Sequence, residues 1–240
     1  MITFSNKHRS IQTEIMDDLD FQGDEMKNLL KDLKTVNKFL GGNSITIGGL
    51  KKLLKNHPKH KSITLLDVGC GDGELLRKCA DFGKKNNFSL KCIGLDFNES
   101  ILKVAVEKSN NYPNIVFKKV DVFLAEELIP NSDIALCTLF LHHFTNEKIE
   151  GLLNALLRKA NTGLIINDLQ RSKQAFNLFK IFSKLFLRTE TAKHDGLVSI
   201  ARAFKKSELE SISKKIPNQK SSIHWRWAYR YQWIIKKKVC

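Results

Sequence analysis

The chain has no apolar run long enough to span a bilayer. The longest, Ile134 to Leu141, has eight residues and includes a Thr, against the roughly 18 to 20 that a membrane helix needs. An integral membrane protein is therefore excluded. The first twenty residues also lack an uninterrupted apolar stretch, because His8, Arg9, Glu14, Asp17 and Asp18 break it, and no signal peptide is expected. There is no C-x-x-C pair, and the five cysteines (Cys70, Cys79, Cys92, Cys137 and Cys240) do not form an even disulfide set. This excludes a secreted disulfide scaffold and a zinc ribbon, and a reduced, cytoplasmic chain without a metal centre is expected. Acidic residues are scarce near the end. Residues 171–240 hold 17 Lys and Arg against 4 Asp and Glu, whereas residues 1–170 hold 23 against 21. A basic final third suits nucleic acid, an anionic membrane surface or an acidic protein, but lysines scattered over helices also describe ordinary solvated faces.

What is present is an ordinary globular composition: 240 residues, 42% hydrophobic and 27% charged, enough for one domain with its own core. Met26, Leu29, Leu30, Leu33, Val36, Phe39 and Leu40 recur at helical spacing, predicting a helix over 24–40 that Gly41-Gly42 stops. A second helix is predicted near 47–56, ending at His57-Pro58. Apolar runs at 63–68, 90–95, 133–141 and 163–167, with an extended stretch at 114–120, alternate with helical patterns through Cys79 and over 99–108 and 146–159. Such β-α-β-α alternation predicts a parallel sheet with helices on both faces. After Asp168 come a Phe-rich helical stretch and a polar loop within 172–204, then one more helix at 206–216. Trp225, Trp227, Tyr229, Tyr231 and Trp233 stand at period two, which predicts two closing strands within 223–235.

The chemistry starts at Leu65-Leu66-Asp67-Val68-Gly69-Cys70-Gly71-Asp72-Gly73-Glu74. A buried strand runs into three alternate glycines and then a helix start, where backbone N–H groups and the helix dipole favour a carboxylate or phosphate. Glu74 stands where a dinucleotide fingerprint wants its third glycine. Asp67, just before the loop, would repel a pyrophosphate but can hold an amino group. Asp96 ends the second strand and can accept hydrogen bonds from two vicinal ribose hydroxyls. Asp121 ends the third, within reach of an adenine amino group. Each acid alone reads as a helix cap; together they describe a pocket for a nucleoside joined to an amino acid.

This set resembles the class I S-adenosylmethionine-dependent methyltransferases over residues 60–170. The resemblance implies a Rossmann-like, seven-stranded, mostly parallel sheet and S-adenosylmethionine as cofactor. It places Asp67, Gly69, Cys70, Gly71 and Gly73 around the methionine part, Asp96 on the ribose with Phe97 stacking on adenine, and Asp121 with Val122 at the adenine edge. Cys137 and Thr138 would lie under the sulfonium. The chain looks most like small-molecule methyltransferases of ubiquinone and menaquinone biosynthesis and relatives acting on phenolic or polyketide products. Glu14-Ile15-Met16-Asp17-Asp18 and Gly41-Gly42 fit that subgroup. The implied organisation is an N-terminal helical extension, 1–58, and a methyltransferase domain, 59–240, in which 171–204 is a lid insertion.

A phenol, with a pKa of about 10, benefits from a base, and a histidine near 6.5 suits the task. The candidates are His142, His143 and His194, with Asp168 to orient one of them and Arg171 or Arg202 to hold an anionic acceptor. The expected activity is O-methylation of a small aromatic acceptor, with transfer to ring carbon as the variant. Phe176, Phe179, Phe182 and Phe186 form one stripe of a helix over 173–188, and Lys173, Lys180, Lys184 and Arg188 another. They are read either as a lid touching an anionic membrane or acidic carrier, or as a packed surface helix. Nucleic-acid methylation is the alternative. It is weakened because Cys137-Thr138-Leu139-Phe140 replaces the Asn/Asp-Pro-Pro-aromatic turn of base amino methylation and Cys137 follows Leu136 rather than a proline. A non-catalytic cofactor-binding subunit is the third class.

Overall fold

The computed structural model describes residues 2–18, 20–217 and 219–237, so Cys240 lies outside the described residues. Five strands, β1 (Ile63–Val68), β2 (Leu90–Asp96), β3 (Ile115–Lys119), β4 (Ser132–Thr138) and β5 (Ala160–Leu169), run parallel. A hairpin of β6 (Gln219–Arg226) and β7 (Arg230–Lys237) closes the sheet, with β7 antiparallel to β5. The order is β3-β2-β1-β4-β5-β7-β6. It reverses between β1 and β4, which opens a crevice at the carboxyl ends of those strands.

Helices cover both faces because the central strands are apolar on both sides. On one face Leu66 and Val68 of β1 and Ala135 and Cys137 of β4 join Ile149, Leu153 and Leu156 of α5 (Asn146–Lys159). On the other, Ile63, Leu65, Ile134 and Leu136 join Leu50 and Leu54 with Leu76 and Cys79. These come from α2 (Gly42–Leu53) and its C-cap and from α3 (Glu74–Lys85). Alternate residues of each strand feed opposite cores, as the two-residue period requires. Helix α2 starts five residues before the expected position, and its Gly49 lets it lie close on β5. A Cβ there would stand 2.7 Å from Cγ2 of Ile165.

The remaining helices are α1 (Gly23–Phe39), α4 (Glu99–Lys108), α6 (Lys173–Phe186), α7 (Glu190–Arg202) and α8 (Lys206–Lys214). A third core joins Met26, Leu29 and Leu30 of α1 to Phe179 of α6 and Ala192 and Ile200 of α7. Helix α7 occupies the stretch expected to be a polar loop. Its polar residues point inward to specific partners: Asp195 accepts from the backbone N–H groups of Ile15 and Met16, and the Ser199 hydroxyl donates to Glu14. An inward polar face hides a helix from hydrophobic periodicity.

The aromatic stripe of α6 packs on α1, α7 and Phe4, and no residue of 173–188 lines the crevice described below. Leu178, Ile181 and Leu185 are exposed on its outer side. The basic final third is partly structural: Arg230 and Arg171 are buried, and Lys215 pairs with Glu150 at 2.7 Å. No helix among the described residues is long and apolar enough to cross a membrane.

Candidate active site

The turn after β1 is tied to β2, since the N–H groups of Gly69 and Cys70 both donate to the carbonyl of Leu95, at 2.9 and 3.0 Å. Gly69 needs to be glycine on two counts. Its φ is +70°, and a Cβ would fall 2.3 Å from the ring of Phe140. Gly73, with φ +75°, starts α3 in the same left-handed region. Asp96 stands across the turn. One carboxylate oxygen accepts the N–H of Gly71 and the other that of Asn98, both at 3.0 Å. Burial raises its pKa, and the backbone N–H groups partly offset that. Asp121 lies two residues beyond β3 and accepts the N–H of Phe123.

Together these residues border a cleft of about 480 Å³. Of the residues expected to hold a cofactor, Gly69, Gly71, Asp96, Phe97, Asp121 and Val122 line it. Asp67 stands behind the lining beside Val68, almost fully buried, with its Oδ1 lacking any hydrogen bond. Four more of the expected residues do not line the cleft. The Cys70 side chain is buried and does not line the cleft, and Gly73 shapes the turn without facing it. Cys137 and Thr138 do not reach the cleft: Cys137 is buried in a core, and the Thr138 hydroxyl bonds that of Thr46 at 2.9 Å. The wall at the end of β4 is Leu139 and Phe140, because the chain turns at Leu139, whose φ is +53°.

The three histidines separate clearly. His143 lines the cleft, and its Nδ1 lies 3.0 Å from Oδ2 of Asp17. His142 points the other way. It is buried, its Nδ1 is 2.7 Å from Oδ1 of Asp168, and its Nε2 is 3.3 Å from Oε1 of Glu14. Burial disfavours its charged form, but the two carboxylates overcome that and push its pKa up to about 9. The raised pKa favours the charged form of His142, and neither His142 nor Asp168 is among the residues that line the cleft. His194 sits on α7 beside Asp195 at 2.8 Å, away from the cleft. Arg171 is buried and does not line the cleft; its two terminal nitrogens donate to Glu208 and the carbonyl of Ala203. Arg202 does line the cleft, but its donors go to the carbonyls of Gln12, His142 and His143.

Residues that sequence reasoning passed over also face the cleft: Met16 and Asp17 from the N-terminal segment, and Phe123, Phe144 and Lys148. The Glu14–Asp18 segment was visible as a subgroup feature, but nothing local in it shows that it folds against the end of β4.

The residues present suit an adenosine joined to an amino acid. Asp96 offers a carboxylate for vicinal hydroxyls, Asp121 and Val122 an edge for adenine, and Asp67 an unpartnered buried oxygen for an ammonium. A family model described as a methyltransferase domain matches residues 59–225. The chain belongs to that family. It has the fold of the class I methyltransferases, and S-adenosylmethionine is the cofactor of that class. Among solved structures it is similar to magnesium protoporphyrin IX methyltransferase from Synechocystis PCC 6803 with bound S-adenosylmethionine (16% identity, 98% of this chain and 100% of that one, TM-score 0.60). It is also similar to the plantazolicin methyltransferase BpumL in complex with a pentazolic desmethylplantazolicin analogue and S-adenosylhomocysteine (16% identity, 87% and 90%, TM-score 0.65). The plantazolicin methyltransferase BamL gives 12% identity, 90% and 97% coverage, and a TM-score of 0.64. No curated protein sequence matches the chain.

If Asp96 binds the ribose, Asp96→Ala should weaken S-adenosylhomocysteine binding by about 2 to 3 kcal/mol through loss of charge-assisted hydrogen bonds. Calorimetry on the folded variant checks this, and unchanged affinity would remove Asp96 from the cofactor site.

Proposed function

We propose that the protein methylates a hydroxyl oxygen of a small aromatic acceptor, with His143 as the general base. The observation that carries the reading is His143 itself, the one candidate base that lines the cleft, with a carboxylate behind its Nδ1. A ring whose Nδ1–H donates to Asp17 keeps its lone pair on Nε2. Phe140, Phe144 and Phe123 support an aromatic acceptor. They pack in succession near His143, Phe140 edge-on to Phe144 and Phe123 tilted against it, with ring centroids 4.9 and 4.4 Å apart, and such rings favour offset or edge contacts with another ring.

S-adenosylmethionine supplies an electrophilic methyl group when bound. The chain's part is to align the acceptor oxygen and take its proton. With that methyl donor in place, Nε2 of His143 would take the hydroxyl proton as the acceptor oxygen is methylated, and the Asp17 carboxylate would stabilise the resulting imidazolium. Lys148 and Arg202 add positive charge to the same cleft. The similar structures named for a porphyrin and for plantazolicin support an acceptor of small-molecule size.

A panel of phenols and hydroquinones assayed with labelled methyl donor tests the reading. A methyl ether is the expected product, and His143→Gln should lower turnover by roughly 100-fold while leaving S-adenosylhomocysteine affinity intact. Turnover within about threefold of the parent protein would dismiss His143 as the base.

A further inference from the structure

At the cleft wall and just behind it, His143, Glu14 and His142 bring three ligand-type atoms together. Oε1 of Glu14 lies 3.3 Å from Nε2 of His142 and 3.9 Å from Nε2 of His143. One ligand atom from each residue falls within 4.8 Å of the others. Each imidazole has a carboxylate on its far nitrogen, Asp168 for His142 at 2.7 Å and Asp17 for His143 at 3.0 Å. Such a carboxylate holds the proton on Nδ1 and leaves Nε2 as the nitrogen an ion would take, which is how metal-binding histidines are oriented; at His142 the ion would displace the Nε2 proton. Nε2 of His142 is fully buried and makes no hydrogen bond, despite the nearness of Glu14. Oε1 of Glu14 also accepts the Ser199 hydroxyl at 2.7 Å, which holds the carboxylate in place.

We propose that Glu14, His142 and His143 bind one divalent transition-metal ion of the zinc class, through Oε1 of the glutamate and Nε2 of both histidines. Ligands placed about 2.0 to 2.2 Å from a tetrahedral ion stand about 3.3 to 3.6 Å from one another. The Glu14–His142 separation meets that, and the Glu14–His143 separation needs a closure of a few tenths of an ångström. Two imidazole nitrogens with one carboxylate select zinc, cobalt or nickel over magnesium and calcium, which take oxygen ligands. The ion would join the N-terminal segment to the turn after β4, two stretches distant in sequence.

Ion binding and base catalysis compete for one lone pair. With the ion bound, Nε2 of His143 cannot accept the acceptor's proton, so the loaded protein is the inhibited form. That consequence rests on the proposed role of His143; the site itself does not.

The test is equilibrium dialysis of chelator-stripped full-length protein against micromolar zinc chloride, read by elemental analysis, with cobalt substitution read by visible absorption. The expected result is one ion per chain and tetrahedral cobalt bands. His57→Ala/His60→Ala, which removes a surface histidine pair, should bind as well as the parent protein. Glu14→Gln should weaken binding by about 10-fold or more, with its fold checked by circular dichroism. His143→Gln serves as the second ligand variant should Glu14→Gln not fold. Absence of stoichiometric zinc at 100-fold molar excess over protein, or undiminished binding by the folded ligand variants, overturns the site. Binding is measured without acceptor or methyl donor, so it stands or falls separately from methyl transfer. Zinc that binds but leaves turnover unchanged would overturn the inhibition and point away from His143 as base.

Discussion

Asp168→Ala should destabilise the fold by about 3 to 5 kcal/mol, the loss seen when one partner of a buried ion pair is removed. Asp168 accepts from Nδ1 of His142 and from the backbone N–H of Leu169, both at 2.7 Å, and from the N–H of His142 at 3.3 Å. Burial pushes its pKa up, yet the His142 charge and hydrogen bond bring it net below the ordinary value. It also faces Arg230. That guanidinium is wholly buried, two of its nitrogens lack partners, and burial drives its pKa down to about 10 against the pull of Asp168. Removing the carboxylate would leave two buried cations with less compensation than either needs.

Urea unfolding measures the effect, and a loss below about 1 kcal/mol would show the network to be dispensable. The pH dependence has a definite sign. The raised pKa of His142 adds stability that is complete below about 6.5, its unfolded value, and is lost as pH rises through about 9. The lowered pKa of Asp168 adds stability present above about 3.9 and lost on further acidification. The variant should therefore lose least, relative to the parent protein, at the two extremes of pH.

The parallel sheet was legible because its signals are local. The run 63–68 coincides with β1, 99–108 with α4 and 146–159 with α5. The acids at successive strand ends could be placed for the same reason: in a parallel α/β sheet all the carboxyl ends lie on one side. What escaped depends on contacts between distant parts of the chain. Adjacent histidines look equivalent in sequence, yet His142 turns into the protein towards Asp168 and Glu14 while His143 turns to the cleft. Arg171 and Arg202 look like anion-binding groups in sequence because nothing local reveals that Glu208 and four backbone carbonyls accept from them. The lining at the end of β4 is Leu139 and Phe140 rather than Cys137 and Thr138, with the chain turning at Leu139 in the left-handed region. The Phe stripe of α6 is an amphipathic face, and it packs on α1, α7 and Phe4.

Cofactor affinity should climb steeply with pH and level off near pH 8, and Asp67 is the reason. Burial raises its carboxyl to about 8, with the charge of Asp96 as the second cause. Without a ligand the group is therefore protonated at neutral pH. An ammonium placed against its unpartnered oxygen favours the carboxylate, so binding must expel a proton at any pH below about 8. Linkage then gives up to about 10-fold in affinity per pH unit, or roughly 50-fold between pH 6 and 8. Calorimetry near pH 7 in two buffers of different ionisation enthalpy should show close to one proton released. Asp67→Asn should remove both the slope and the buffer dependence while binding more weakly at pH 8.

The unliganded fold shows the opposite trend. The folded chain retains on Asp67 a proton that the unfolded chain has lost above about pH 3.9, so this group's stabilisation declines between about pH 4 and 8. Asp67→Asn should flatten that decline in urea titrations. A ligand affinity independent of pH from 6 to 8 would mean that Asp67 does not meet the ammonium, and would leave its burial as a feature of the turn alone.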